Sequence, residues 1–307
     1  RMRTEDNPHA LVYERLNSVA FQAHPYRRPV IGWMNDLDNM TVADTQNWYH
    51  SWYAPNNATL VVVGDVDHET LFHLAEKYYG GIKSHTLPQR RPLVEPEQLG
   101  IKRLSVKAPA KLPYLAMAWK VPKLKDIDKD RDPYALQMLA AVLDGHEASR
   151  LAKNLVRGQK IAQSAGAGYD AVLRGESLFI LDGQPAEGHT IGELEAALRG
   201  EIRRIQESGV TAEELARVKT QTIAGQIYKR DSMMGQAMEI GAAEVIGIGW
   251  RDIDKMLDKL RSVSAAEVQE VAKKYFGDDT LTVAVLDPQP LPTADPALKP
   301  TAAAHRH

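Results

Sequence analysis

The 307-residue chain contains no cysteine. Disulfides, thiolate nucleophiles and cysteine-based zinc sites are thereby excluded together. There is no surplus of either charge: the formal net charge is -2. Nucleic acid or an anionic membrane surface would call for a basic face, so neither is expected as a partner. No apolar run approaches the roughly 18 residues that cross a bilayer as a helix. Ten histidines are present, yet none opens an H-x-x-E-H or closes an H-E-x-x-H, the two helical zinc patterns. What remains, 44% hydrophobic and 25% charged residues, is the composition of a globular protein, and the length suits two domains.

One phrase is written twice. Residues 31–40 read IGWMNDLDNM and residues 248–256 read IGWRDIDKM. After the first comes Thr41 with Asp44 three residues on; after the second, Ser264 with Glu267. Each pair predicts a helix opened by a hydroxyl cap and a carboxylate that meets free backbone N–H groups. Each helix ends on an aromatic pair, Trp52-Tyr53 or Tyr275-Phe276. A short polar turn then leads to Leu60–Val63 or Leu281–Val285, whose β-branched composition predicts a core strand. Two loop–helix–strand units in one order indicate an internal repeat.

Upstream of the second copy, Ile101–Ala108 and Tyr114–Val121 read as strands. Asp132-Pro133 opens a helix that Gly145 stops, and Ser149–Arg157 reads as a second helix. Gln163–Ala171 and Ser177–Asp182 read as paired strands. Ile191, Leu194, Leu198, Ile202 and Ile205 lie at helical spacing, and Thr211 starts a helical region that runs to Ile246 with a break near Asp231-Ser232. The complete copy is therefore an α+β sandwich: a mainly antiparallel sheet with helices on one face. The first copy has only a helix around Pro8–Phe21 and the loop HPYRRPVIG before its Ile31. Repeat logic makes it the C-terminal half of such a unit, residues 1–83, and the chain a piece of a longer protein. That opening helix is expected to leave Leu11, Val12, Leu16, Val19 and Phe21 without a partner sheet, inviting self-association or mobility. Residues 84–100 form a proline-bearing linker, residues 101–290 the complete second repeat, and residues 291–307 a disordered tail.

ERLNSVAFQAHPYRRPVIGW and WYAPNNATLVVVGDVD in the first copy, with SRLAKNLVRGQKIAQSAGAGY in the second, resemble the pitrilysin/insulinase/mitochondrial-processing-peptidase family. The likeness is greatest to its short bacterial zinc-protease members and covers about Arg1 to Asp287. The resemblance implies tandem two-layer α/β sandwiches and a zinc metalloendopeptidase acting on short or unfolded peptides. In that family H-x-x-E-H supplies two zinc ligands and a general base, and a Glu on a later helix completes the site. That Glu would stand just upstream of RMRTEDNP. Zinc is thus implied for the parent protein, with no zinc ligand and no catalytic residue in this chain.

His73 with Glu76 is the nearest local substitute, but Lys77 stands where a second His would be, and a solvated helix face accounts for the pair. His146-Glu147 suits a turn, and His24-Pro25-Tyr26 suits a proline-fixed turn that buries the Tyr ring. The family also places an Arg, with a Tyr seven residues on, against the substrate backbone. Arg157 takes the Arg position, but Ser164 stands where the Tyr would be, and a hydroxyl on a Ser cannot span the distance a phenol does. Arg157 is therefore an incomplete substrate-binding candidate, with an end-of-helix role as the plainer reading. Some bacterial members work as two chains, one with zinc and one with the Arg/Tyr pair. Absence of the pair favours a zinc-carrying parent that needs a second family subunit. A non-catalytic member acting as scaffold or partner is the alternative, and a core subunit of a respiratory complex a third. The resemblance also favours the periplasm or envelope of a Gram-negative bacterium.

Overall fold

Residues 1–291 are described by the computed structural model, and the remainder of the tail lies outside them. The chain opens with helices α1 (Met2–Glu5) and α2 (Pro8–Ala20), then α3 (Met34–Asp38), α4 (Val42–Trp52) and α5 (His68–Tyr79). Next come strands β1 (Lys102–Pro109) and β2 (Tyr114–Val121), helix α6 (Asp132–Asp144), a π-helical turn over Leu151–Gly158, and strands β3 (Ala162–Tyr169) and β4 (Ser177–Pro185). Helices α7 (Ile191–Ser208), α8 (Ala212–Tyr228), α9 (Met233–Ile246), α10 (Ile253–Ser262) and α11 (Ala265–Tyr275) precede strand β5 (Leu281–Gln289). The predicted second helix, Ser149–Arg157, is thus a π-helical turn, in which the Gln159 N–H reaches back five residues to the Asn154 carbonyl at 2.7 Å.

The five strands form one sheet in the order β1-β5-β2-β4-β3. Only the β1–β5 pair is parallel; the other three pairs are antiparallel. The alternation of β4 places Phe179 and Leu181 on the face that packs with α6, α7 and α11, where Leu136, Leu139, Leu194, Leu198, Val268 and Val271 are also buried. The α+β expectation holds.

Both capping boxes of the repeated phrase form. Thr41 and Asp44 exchange side-chain and backbone bonds at the start of α4, and Ser264 and Glu267 do so at the start of α11. The strands that should follow diverge. Leu281–Gln289 pairs on both sides, whereas Leu60–Val63 is extended chain without a ladder. The expected first strand is therefore a correction: among the described residues no other strand lies beside it, and a strand exists only through its partners.

The opening helix is a second correction. Val12 and Leu16 are fully buried, with Phe21 2% exposed. Val12 and Leu16 pack on the other face of the sheet, against Val106, Ala108, Ala116, Ala118, Ala284 and Leu286. The sequence carried the signal. Tyr114–Trp119 reads YLAMAW, an unbroken apolar run rather than an alternating one, which marks a strand covered on both faces. Burying one such Val, Leu or Phe is worth about 1.5–3 kcal/mol, so the helix stays where the sheet offers it a surface.

Candidate functional site

Arg157 and Ser164 stand on consecutive elements. Leu151 and Leu155 are fully buried and anchor the π-helical turn, which places Arg157 on its outer side. From there the chain turns through Lys160, whose φ is +57°, into β3. A bulge between Ala162 and Ser164 breaks the pairing with β4, and Ser164 lies exposed on this edge strand. The Arg157 side chain is half exposed, 3.5 Å from a carboxylate oxygen of Glu147, and it also donates to the Glu147 carbonyl. It is therefore held by the loop before its own turn, not by the turn's C-terminal carbonyls. Among the described residues no hydrogen bond joins Arg157 to Ser164.

The histidine readings resolve separately. His24 Nδ1 accepts from the Tyr26 N–H at 3.2 Å and caps the turn Pro25–Arg27. Tyr26 is 39% exposed rather than buried, because its hydroxyl reaches out to accept from the Gly175 N–H at 3.1 Å. A Cβ on Gly175 would stand 2.8 Å from the Tyr26 ring and closer still to His24, so the β3–β4 turn needs glycine here. His146 Nδ1 accepts from the Ala148 N–H at 2.9 Å within its own turn. His73 and Glu76 lie on the outer surface of α5. Among the described residues no group of three or more His, Asp or Glu could hold a metal ion.

Two polar centres escaped sequence reasoning. In the first, Asp182 on β4 accepts from Tyr114 of β2 at 2.7 Å and from Tyr13 of α2; the two hydroxyls lie 3.1 Å apart. His9 stacks on Tyr114 with ring centres 4.1 Å apart. Burial, reinforced by the Asp182 charge, pushes the Tyr13 phenol up. Burial also pushes the Tyr114 phenol up. In the second, Glu95 accepts the backbone N–H groups of Gln22, Ala23 and His24 at 2.7–2.9 Å and pairs with Lys120 at 2.8 Å. Burial opposes ionisation of Glu95, but the Lys120 ammonium and the three N–H donors outweigh it and hold the carboxyl at about 2. Both centres join side chains 25 to 169 positions apart in the chain or bind backbone groups, so no spacing announces them.

Residues 42–82 present a different surface. A groove of about 780 Å³ runs between α4 and α5, lined by Trp48, Trp52, Tyr53, Leu60, Tyr79 and Arg90 among others. The Arg90 guanidinium lies 4.8 Å from the Trp52 ring centre. Trp48 and Tyr53 are each more than 60% exposed, a contiguous aromatic face of the kind that elsewhere marks an interaction surface.

Residues 39–222 match the family profile described as "Peptidase M16 inactive domain". The chain is 28% identical over 298 residues to the zinc protease PqqE of Helicobacter pylori, covering 94% of the chain and 64% of that protein. It is 22% identical over 288 residues to an uncharacterized zinc protease of Rickettsia felis, covering 94% of the chain and 67% of the relative. The crystal structure of a protease from Helicobacter pylori superimposes with a TM-score of 0.86 at 26% identity, over 94% of this chain and 69% of that one. The chain therefore spans about two thirds of the length of the relatives it matches.

Proposed function

The chain belongs to the peptidase M16 inactive-domain family, and from that premise we propose that it is the non-catalytic, substrate-enclosing portion of a zinc-dependent endopeptidase of the pitrilysin type. Its parent cuts short or unfolded peptides, with the zinc and the general base carried outside residues 1–307. Residues 1–83 are the C-terminal half of a first repeat, 84–100 a linker and 101–290 a second repeat. The 780 Å³ aromatic groove then belongs to the first repeat, and Arg157 offers substrate one guanidinium without the phenol that would accompany it. A second family subunit completes the clamp. The observation that carries this reading is the inactive-domain match over residues 39–222 in a chain whose sequence holds no H-x-x-E-H.

The test assays a fluorogenic unfolded peptide against the chain alone and against the chain mixed with a zinc-loaded family member that carries H-x-x-E-H. The chain alone should give no chelator-sensitive turnover. Turnover by the mixture should exceed that of the zinc-bearing member by about tenfold, through better positioning of the peptide. Chelator-sensitive hydrolysis by the chain alone, or a mixture no faster than its zinc-bearing component, would overturn the proposal.

A further inference from the structure

Helix α2 packs mainly on β1, β5 and β2 on its side of the sheet. It touches the near flank of β4, where Leu178 and Ile180 lie against its cluster and Tyr13 meets Asp182, which leaves the far flank of β4, and β3, open beyond it. On that open half, Leu178, Ile180, Asp182 and Gln184 of β4 face outward, each half-buried, alternating with the core-facing Phe179, Leu181 and Gly183. Opposite Ile180 and Asp182 β3 contributes no side chains: Gly168 pairs with Ile180 and Gly166 with Asp182, while Ser164 stands opposite Gln184, and directly opposed residues point to the same face. The result is a groove floored by Leu178, Ile180 and Gly168. Its upper end widens to a cavity of about 470 Å³ walled by Asn17, Phe21 and Tyr26 on the α2 side and by the chain of residues 168–170 on the other.

The charges left unpaired along this groove are acidic; Lys120, opposite Leu178 and over the Phe21 ring, is paired with Glu95. Asp170 and Glu176 line the cavity. Lower down, a Cβ placed on Gly166 would stand 2.5 Å from Asp182 Oδ1 and 3.4 Å from Asp144 Oδ2, so two carboxylates converge over that glycine. Burial and the Asp182 charge hold the Asp144 carboxyl above its usual range, against a bond from the Ala167 N–H. Among the described residues none of these four carboxylates forms an ion pair. Lys123, within electrostatic reach of Glu176, spends its ammonium on the carbonyls of Leu173 and Arg174. Arg174 donates to the Val245 carbonyl at 3.0 Å.

We propose that this groove binds an extended peptide segment, with an aromatic or aliphatic side chain in the 470 Å³ cavity and a Lys or Arg against Asp182 and Asp144. The two subsites are two strand positions apart, Ile180 and Asp182, which is about 7 Å at a strand's rise per residue. The segment is therefore of the form apolar–any–basic. Charge complementarity selects the occupant: an apolar pocket rimmed by uncompensated carboxylates disfavours an acidic or neutral ligand and attracts a cationic one. The glycine floor lets the ligand backbone approach the sheet closely. This assignment rests on the peptide-handling reading above and gives it a sequence preference.

Binding, not turnover, is the measurement, so that it stands apart from the peptidase proposal. Fluorescence polarisation of the full chain is read with labelled, end-blocked octapeptides that differ only in Phe-Ala-Arg against Phe-Ala-Glu. The Arg peptide should bind at least about tenfold tighter, with an affinity that falls as salt rises. Gly168→Leu points into open space, with no atom within 4 Å of its Cβ, so it leaves the fold intact and should abolish binding. Asp144→Asn should weaken the Arg peptide about fivefold or more and leave the Glu peptide unchanged. Asp182→Asn is the less clean probe, because Tyr13 and Tyr114 depend on it. Equal affinity for both peptides, no binding of either, or binding indifferent to Gly168→Leu would overturn the assignment. So would a dimer of the chain that Gly168→Leu dissociates, which gives the groove to a second copy. Preserved binding with no turnover in the mixing assay above sinks the peptidase reading alone.

Discussion

Residues 31–63 and 248–285 begin as nearly the same text and end as different structures. Each passes through a short helix, a capping box, a longer helix and a 3-10 turn, at Pro55–Asn57 or Asp278–Thr280. Then Leu281 and Val283 enter the sheet between β1 and β2 and are 0% and 1% exposed, while Leu60 and Val62 are 59% and 41% exposed. Local code fixes the helices in both copies, since caps act within one turn. The strand is decided elsewhere: β5 is a strand because two others flank it. The segment without sheet neighbours is also the one that exposes Trp48, Tyr53 and Leu60.

The comparison can be broken most severely at the paired strand. Leu281→Ala should cost about 2–5 kcal/mol in urea unfolding, as large-to-small changes in a packed core do. The equivalent change in the other copy, Leu60→Ala, should stay within about 0.5 kcal/mol. Comparable losses at the two positions would mean that Leu60 is packed. Next comes the helix that bridges the two regions: Leu16→Ala should also cost about 2–5 kcal/mol and expose residues 1–24 to limited proteolysis before the rest of the chain.

The Glu95 latch sits lower. Glu95→Gln should cost about 1–3 kcal/mol near neutral pH, by removing a charged acceptor from three N–H groups and Lys120. Its sign is set by the depressed carboxyl. The stabilisation is fully present above the ordinary value of 4.5 and is lost as pH falls toward about 2. Acid titrations of unfolding should therefore be flatter in Glu95→Gln than in the parent across that window, and parallel curves would remove the latch from the account. The smallest effect is Ser264→Ala, about 1 kcal/mol for a lost cap. Its counterpart Thr41→Ala should fray α4 in hydrogen exchange without moving the global transition.

Legibility in the sequence followed the range of the interaction. The capping boxes at Thr41 and Ser264, the helix periodicity of Ile191–Ile205 and the existence of β4 all lie within a few residues and were readable. The missing ladder at Leu60–Val63 was not, because composition states that a segment suits a strand and says nothing of which strands stand beside it. The docking of α2 was half legible: the unbroken apolar run Tyr114–Trp119 demands a second cover, but no pattern names the helix that provides it. At the candidate site, Arg157 and Ser164 were found through resemblance. The Asp144–Asp182 convergence required the sheet register, which brings Gly166 opposite Asp182 and is invisible to a linear reading.

Residue-resolved hydrogen exchange of the chain alone compares its two copies most directly. Amides of Leu281–Leu286 should exchange only through global unfolding, while those of Leu60–Val63 should exchange at rates close to those of unprotected peptide. Slow, matching exchange in both segments would show that the first copy already possesses a paired strand, and would contradict the account.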